Sequence, residues 1–300
     1  MRTLVLALAA SLAVACGPTV AETTDPTDAT DSTDDTDDPG PAPDLTARGD
    51  ARSVLDTGSS AVRDGCTLRW SRYSPDGQPG EVLVVLAHGF GRSQAQMAGW
   101  AEHLASWGAE VVTPDLCFAG PFNSDHPANG RSLADLATEL ADDRPVILAG
   151  HSAGGLAAWL AASELGGAVD GVLLLDPVDN QGVGSAAGGD VAAPTGGLLA
   201  EPSSCNADNN GVAMVADAAD VQLFQLKGTD HCHFEDPTDG VCTALCRRGS
   251  TAEPEPARQT VLALTAGFVR WRGGLDERGQ AYWTAGSDAQ DGLPLSLVVP

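Results

Sequence analysis

The chain has 300 residues, more than a usual single domain, and 43% of them are hydrophobic, which is enough to bury a large core. No apolar run beyond residue 16 approaches the roughly 20 residues that a membrane-spanning helix needs, which excludes a polytopic membrane protein. The 41 acidic and 16 basic side chains give a net charge of -25, which opposes binding to a phosphate backbone and excludes nucleic acid as an expected partner.

The first sixteen residues predict an export signal, because Arg2 precedes an apolar stretch and small residues that end at Cys16. The LAVAC sequence at 12–16 resembles a bacterial lipoprotein signal, which implies that residues 1–15 are removed and that Cys16 is acylated. We therefore expect an exported protein, anchored through lipid on Cys16 to a cell-envelope membrane, on its periplasmic or outer side. The alternative is an ordinary secretory signal that is cut nearby.

Residues 16–50 are predicted to be a disordered acidic tether. Asp, Thr and Pro dominate residues 23–43, and such a segment cannot bury enough apolar surface to offset the entropy lost on ordering. A calcium site is the other interpretation of the Asp cluster, but the sequence lacks the loop spacing and the glycine of a known calcium motif. We expect the folded domain to span residues 51–275 and residues 276–300 to form a C-terminal extension.

From residue 66 onward, short runs rich in Val and Leu alternate with Ala-rich segments of helical period. This alternation predicts an α/β fold, in which helices cover both faces of a mostly parallel sheet and no large lid domain is inserted. The predicted strands are Cys66–Tyr73, Glu81–Ala87, Ala109–Pro114, Pro145–Ala149, Gly171–Leu175, Pro194–Leu199 and Val221–Leu226, with an edge strand in Leu293–Pro300. The predicted helices are Ser93–Trp107, Ser132–Ala141, Gly154–Leu165, a short one near Val212–Ala218, and Pro256–Trp271.

Residues 150–155 read GHSAGG and join a predicted strand directly to a predicted helix. A GxSxG sequence at a strand-to-helix turn is typical of a nucleophile whose hydroxyl stands at the C-terminal edge of the sheet. Ser152 is therefore the predicted nucleophile, and the start of the following helix stabilises negative charge beside it. The alternative is a structural turn rich in Gly and Ser.

Two histidines follow Ser152 in the sequence, and both are candidates for the general base that a serine nucleophile needs. His231 and His233 lie in KGTDHCHF, residues 227–234, just after the strand that ends at residue 226. We predict His231, because Gly-x-x-His directly after the last strand brings the imidazole back over the serine. His233 is the alternative.

Asp176 is the predicted acid that orients the base. It ends a wholly apolar strand, where a desolvated carboxylate is costly unless it is hydrogen-bonded. The alternatives are Glu201, Asp179 and Asp208, which otherwise read as surface acids of a very acidic chain.

An oxyanion hole needs two N–H donors, one after the nucleophile and one from a loop that follows an earlier strand. Ala153 is expected to supply the first and Phe90, in LAHGFG at residues 86–91, the second. The Phe90 ring either lines the acyl pocket or only packs. His88 is expected to brace this loop without transferring protons.

Residues 81 to about 272 resemble an α/β hydrolase, most closely the group that holds chlorophyllases and polyester or cutinase-type hydrolases. The motifs that carry this resemblance are HGF at 88–90, GHSAGG at 150–155, LLLDPVD at 173–179 and KGTDH at 227–231. The resemblance implies the α/β-hydrolase fold, a triad of Ser152, His231 and Asp176, and cleavage of a small-molecule or polymeric carboxylic ester through an acyl-enzyme. We expect a monomer that uses no cofactor. The alternatives are hydrolysis of amides, thioesters or lactones by the same triad, and a non-catalytic surface-binding lipoprotein with a hydrolase fold.

Six cysteines follow Cys16, and an even number in an exported chain favours disulfides. The sequence leaves their pairing open, although three of them follow His231 closely and suggest bridges that fix the loop of the base. The candidates are Cys66, Cys117, Cys205, Cys232, Cys242 and Cys246. A zinc site on the histidines and cysteines of residues 231–246 is the alternative. We predict no metal, because the spacings match no standard zinc motif and a metal on His231 would remove the base.

Overall fold

The computed structural model describes residues 40–246 and 250–298. The predicted signal peptide at 1–15, the lipidation site Cys16 and most of the tether at 16–50 lie outside the described residues. Within the described ranges, no helix is long and apolar enough to cross a membrane.

Nine strands of the described residues form one sheet in the order β1-β2-β4-β3-β5-β6-β7-β8-β9. Their bounds are β1 Ser53–Val62, β2 Cys66–Pro75, β3 Val82–Ala87, β4 Ala109–Pro114, β5 Val146–His151, β6 Gly171–Leu175, β7 Thr195–Leu199, β8 Val221–Leu226 and β9 Leu295–Val298. The strands from β4 to β8 in this order are parallel, whereas β1, β2 and β9 pair antiparallel at the two edges. Two short strands, Ala119–Gly120 and Asn123–Ser124, pair separately.

Helices lie on both faces of the sheet, and their bounds are α1 Ala98–Ser106, α2 His126–Leu140, α3 Ala153–Leu165, α4 Val183–Ala187, α5 Gly240–Cys246 and α6 Pro254–Arg272. The residues of β3 are all buried and alternate between two cores, as side chains on a strand must. One core contains Trp100 of α1 and Phe268 of α6, and the other contains Leu133 of α2 and Trp159 of α3. The predicted α/β fold is therefore confirmed.

Most predicted elements occur close to their predicted bounds, and the differences have local causes. The predicted helix Ser93–Trp107 is a 3₁₀ turn, Gln94–Met97, followed by α1, and the short helix predicted near Val212–Ala218 is the 3₁₀ segment Ala207–Val215. The edge strand predicted in Leu293–Pro300 is present as β9, which pairs with β8.

The start of α2 was predicted too late, at Ser132. The helix begins at His126, after Asp125, whose carboxylate accepts a hydrogen bond of 2.9 Å from the Ala128 amide. Gly130 interrupts the helical pattern in the sequence, but a Cβ at this position would lie 2.6 Å from Cβ of Leu160. The glycine therefore allows α2 and α3 to approach closely.

Strand β1 was not predicted, because its sequence SVLDTGSSAV has little apolar alternation and most of its residues are partly or fully exposed. It pairs along its whole length with β2 at the edge of the sheet. Gly58 has no side chain at the point where the Trp70 indole packs, and a Cβ there would lie 2.3 Å from that ring.

The predicted domain bounds of 51 and 275 are too narrow at both ends. Leu45 is fully buried, and its amide donates to the Tyr282 hydroxyl at 3.1 Å. Trp283 is also buried, and its ring packs against the rings of Phe224 and Phe268. The end of the predicted tether and the predicted C-terminal extension are thus part of the compact unit, because a few large side chains in these polar segments enter the core.

Candidate active site

Ser152 stands between β5 and α3 with φ 56° and ψ -123°, a backbone conformation that is strained for any residue with a side chain. The two glycines of the motif let the chain pass through this turn. A Cβ on Gly150 would lie 2.2 Å from the Gly154 carbonyl oxygen, and a Cβ on Gly154 would lie 2.4 Å from the Ala87 carbonyl oxygen. The sequence GHSAGG therefore forms the sharp turn that it predicts.

Asp176 follows β6 and is fully buried. Its Oδ2 lies 2.6 Å from Nδ1 of His231, and its Oδ1 accepts hydrogen bonds from the Ala200 amide at 2.9 Å and from Nδ2 of Asn206 at 3.2 Å. These donors compensate for the desolvation of the carboxylate. The structure thus brings together the predicted acid and the predicted base.

His231 begins a 3₁₀ turn, His231–Phe234, and only 6% of the residue is exposed. Asp230 caps this turn by accepting a hydrogen bond of 2.9 Å from the Cys232 amide. Because Nδ1 faces Asp176, Nε2 is the nitrogen that can exchange a proton with a serine. His231 and Ser152 line the same cavity, which measures about 430 Å³.

The alternative base and the alternative acids form hydrogen bonds with residues other than Ser152 and His231. Nδ1 of His233 is 2.9 Å from Oδ1 of Asp230, and the residue lines a smaller cavity of about 130 Å³. Asp179 accepts hydrogen bonds from the backbone amides at the start of α4, and Glu201 accepts from Nε2 of Gln225 at 2.9 Å. Asp208 is exposed. Among the described contacts, none joins these side chains to Ser152 or His231.

The loop after β3 lies directly against the nucleophile, since a Cβ on Gly89 would lie 3.1 Å from Cβ of Ser152. Over the described residues, neither the Phe90 amide nor the Ala153 amide donates to another backbone oxygen. Phe90 lines the cavity beside Ser152, and Ala153 directly follows Ser152, so both residues adjoin the position at which a substrate carbonyl oxygen would need donors.

The prediction that His88 braces this loop is confirmed. Nδ1 of His88 lies 2.8 Å from the Gly89 carbonyl oxygen, and Nε2 accepts a hydrogen bond of 3.0 Å from the Leu116 amide. These partners place the proton on Nδ1, and burial lowers the pKa of the imidazole below its ordinary value. His88 is therefore neutral, and it connects the loop after β3 to the loop that contains Leu116.

Three residues of the site were not identified from the sequence. His151 precedes the nucleophile, is fully buried, and has its ring centroid 4.4 Å from that of His231. Arg92 forms two hydrogen bonds of 2.7 Å with the buried carboxylate of Glu235. The sequence holds one weak signal for Arg92, which is a basic residue directly after HGFG in a chain with few basic residues.

All six predicted disulfide candidates are paired, as Cys66–Cys117, Cys205–Cys246 and Cys232–Cys242. The sulfur atoms of Cys232, Cys242 and Cys246 lie within 4.8 Å of one another, a separation that would suit a metal ion. Each of these sulfurs is bonded to another sulfur, however, and the thiolate is the form of cysteine that binds metals. The cluster is therefore a pair of neighbouring disulfides.

Residues 84–208 match the model of a family described as the alpha/beta hydrolase family. The chain has the α/β-hydrolase fold. The matched segment runs from β3 beyond the turn of Ser152 and the carboxylate of Asp176, and it ends before His231. It supports hydrolase activity in general. No protein among the curated sequences matches this chain significantly.

Proposed function

We propose that this α/β hydrolase cleaves carboxylic esters through an acyl-enzyme on Ser152. The observation that carries the proposal is the buried 2.6 Å contact between Asp176 and His231, next to a serine in a strained turn that lines the same cavity. Such a set of nucleophile, base and acid is recognised by its geometry on unrelated folds.

In the proposed reaction, Nε2 of His231 takes the proton of Ser152 while Oγ attacks the ester carbonyl carbon. The carbonyl oxygen becomes an oxyanion, which the Phe90 and Ala153 amides stabilise. His231 then gives its proton to the departing alkoxide, so that an alcohol leaves and the acyl-enzyme remains. Water repeats the sequence, with His231 as base, and releases the carboxylic acid and free Ser152.

Asp176 stabilises the imidazolium form of His231 and fixes the tautomer that leaves Nε2 ready to accept a proton. Ester cleavage requires less proton donation from His231 than amide cleavage, because an alkoxide is a better leaving group than the amide anion that an amide would release without prior protonation. This difference and the resemblance in the motifs support esters as the substrate class.

We further propose that the protein is exported and anchored to a membrane of the cell envelope through lipid on Cys16. The support is the LAVAC sequence before an acidic segment rich in Asp and Thr, together with three disulfides, which persist in oxidising compartments. Metabolic labelling with an alkynyl fatty acid should mark the wild-type chain and leave Cys16→Ser unmarked.

The catalytic proposal is tested with purified protein, a fluorophosphonate probe and p-nitrophenyl acetate. We expect the probe to label the wild type and not Ser152→Ala, and kcat to fall by about 10⁴-fold or more in that variant. Ser59→Ala, an exposed serine on β1, is the matched control and should behave as the wild type. A folded wild type that neither reacts with the probe nor turns over the ester would instead indicate a non-catalytic binding protein.

A further inference from the structure

Helix α5 presents two large apolar side chains to the catalytic cavity. Val241 and Leu245 are one helical turn apart, so they lie on one face of α5, and both line the cavity. They are 59% and 65% exposed, respectively. Apolar surface that stays open beside a reactive serine is surface that a ligand can cover.

Two disulfides join α5 to neighbouring elements of the site. Cys242 is bonded to Cys232, the residue after His231, and Cys246 is bonded to Cys205. Asp239 precedes the helix and accepts hydrogen bonds from the amides of the first turn, at 2.9 and 3.0 Å. This wall of the cavity is therefore held in place relative to the base before any substrate binds, which reduces the entropy cost of binding.

The other walls of the cavity extend the apolar surface. Phe90 and Pro121 line it, and Phe90 is 46% exposed. The neighbour of Pro121, Phe122, is fully exposed. A cavity of about 430 Å³ with these walls has room for a hydrocarbon chain of several carbons next to the ester group.

The charges of the cavity disfavour an anionic substrate. Among the described residues that line the cavity, Arg92 is the one with a lysine or arginine side chain. Its guanidinium is already bound to the Glu235 carboxylate and, at 2.9 Å, to Asp239. His151 also lines the cavity, and burial keeps its pKa well below the ordinary value, so its ring is neutral. Among the described residues of the cavity wall, a substrate carboxylate would thus meet no cation that is free to pair with it.

We infer that the Val241 and Leu245 face of α5 binds an uncharged hydrocarbon chain of the ester and sets the chain-length preference of the enzyme. The inference rests on the proposed ester hydrolysis and adds the substrate class, esters with a medium or long apolar group and no charge on it. Val241 and Leu245 act as specificity-determining residues, because they contact the chain and not the reacting atoms.

The test compares kcat/KM for an acetyl and an octanoyl p-nitrophenyl ester, and for ethyl and octyl acetate. The first pair places the chain on the acyl side and the second on the alcohol side. We expect the wild type to prefer the eight-carbon chain in one of the two pairs. The double variant Val241→Ser/Leu245→Ser should lower that preference at least tenfold, through a lower kcat/KM for the eight-carbon ester of that pair.

Leu55→Ser is the matched control, because Leu55 is 56% exposed on β1, outside the cavity. It should keep the preference of the wild type. Leu245→Phe should shift the optimum towards shorter chains, since a larger side chain fills part of the cavity. An octanoyl chain that ends in a carboxylate should react at least tenfold more slowly than the uncharged chain.

The outcomes separate the two proposals. If the wild type reacts with the fluorophosphonate and hydrolyses the acetyl ester but shows no chain preference, or if the double variant keeps the preference, the role of α5 is overturned and ester hydrolysis stands. If the wild type neither reacts with the probe nor hydrolyses any of the esters, the proposed function fails and this inference fails with it.

Discussion

Asp176 takes part in the proposed chemistry through a single contact, the one with His231. Its carboxylate is fully buried, yet it is surrounded by the ring of His231, the Ala200 amide and the Asn206 amide group. The negative charge is therefore stabilised in place, and it faces the imidazole that becomes positive during the reaction.

Replacement of Asp176 by Asn should lower kcat for p-nitrophenyl acetate by about 10⁴-fold, the size of the effect measured for the equivalent change in a serine protease. The amide keeps the size of the side chain but removes the charge and favours the wrong tautomer of His231. Glu201→Gln is the matched control, because Glu201 also follows a strand of the sheet and accepts hydrogen bonds, at 2.9 Å and 3.0 Å, without contacting His231. If Asp176→Asn keeps its activity and Glu201→Gln loses it, Glu201 is the acid.

His151 contributes to the site through its lack of charge. Desolvation is the main cause that lowers its pKa well below the ordinary value, and the nearby His231 and Arg92 act in the same direction. With ring centroids 4.4 Å apart, a charged His151 would oppose formation of the imidazolium on His231. Burial thus gives the base a flat and neutral neighbour.

At the scale of elements, the ion pair of Arg92 and Glu235 connects the two loops whose relative position the reaction requires. Arg92 follows the loop of the Phe90 amide, and Glu235 follows the 3₁₀ turn of His231. Both side chains are largely buried, with 12% and 1% exposed. The pair therefore fixes the predicted oxyanion donor relative to the predicted base.

Arg92→Met should lower the free energy of unfolding by about 3–5 kcal/mol, because the Glu235 carboxylate remains buried without its partner. Glu235→Gln should lower it less, because Arg92 keeps its ion pair of 2.9 Å with Asp239. The double variant Arg92→Met/Glu235→Leu should recover most of this stability, since both charges are gone. We expect kcat to stay at least tenfold reduced in the double variant, with KM nearly unchanged, because the two loops have lost their link. Urea unfolding and ester kinetics measure the two effects separately. Full kcat in the double variant would show that the pair only stabilises the fold.

The central elements could be predicted from the sequence because their signals are local. Ala109–Pro114, Gly171–Leu175 and Val221–Leu226 are strands with the predicted bounds, since each is a short segment rich in Val or Leu between polar or turn residues. Strand β1 gives no such signal, because an edge strand with exposed residues needs no apolar alternation. Its strand form comes from pairing with β2, which a local pattern does not show.

The same distinction holds for the site. Ser152 and Asp176 lie at the ends of strands in recognisable motifs, and the structure brings Asp176 to His231 as the motifs predict. Arg92 and Glu235 are 143 positions apart, and their contact depends on how two loops pack. The disulfide pairing could not be predicted for the same reason, since it is set by distances between cysteines that are up to 51 positions apart in sequence.

At the scale of the whole molecule, segments from both ends of the described chain complete the core. Leu45 accepts a hydrogen bond from Nε2 of His103 on α1 at 3.0 Å, and the Tyr282 hydroxyl donates to the Pro43 carbonyl oxygen at 2.7 Å. Trp283 donates from Nε1 to the Leu264 carbonyl oxygen at 2.8 Å. Polar segments that bury one or two large side chains in this way belong to the folded unit, although their average composition resembles a linker.

The core also encloses histidines whose burial favours the neutral form, and this makes the protein sensitive to acid. Desolvation is the main cause that lowers the pKa of His88, His103, His126 and His151. For His103 the pKa falls from 6.5 to about 4. Above pH 6.5 these groups are neutral in both the folded and the unfolded protein, so they do not make the free energy of unfolding depend on pH. Between pH 6.5 and 4 the unfolded chain binds protons that the folded chain does not, and stability must fall as the pH falls.

We therefore expect the free energy of unfolding, measured in urea, to decrease steadily between pH 7 and pH 4.5, with roughly 2 kcal/mol of the loss due to His103. His103→Gln tests this share, because the amide can still donate to the Leu45 carbonyl oxygen but does not titrate. Its stability should depend less steeply on pH in this window, whatever its stability at pH 7. The carboxyl groups with lowered pKa values, such as Asp135 beside Arg63, start from 3.8 and lose their stabilising effect only at lower pH. If the free energy of unfolding depends on pH equally in His103→Gln and in the wild type, His103 takes up its proton in the folded protein without breaking its contact with Leu45.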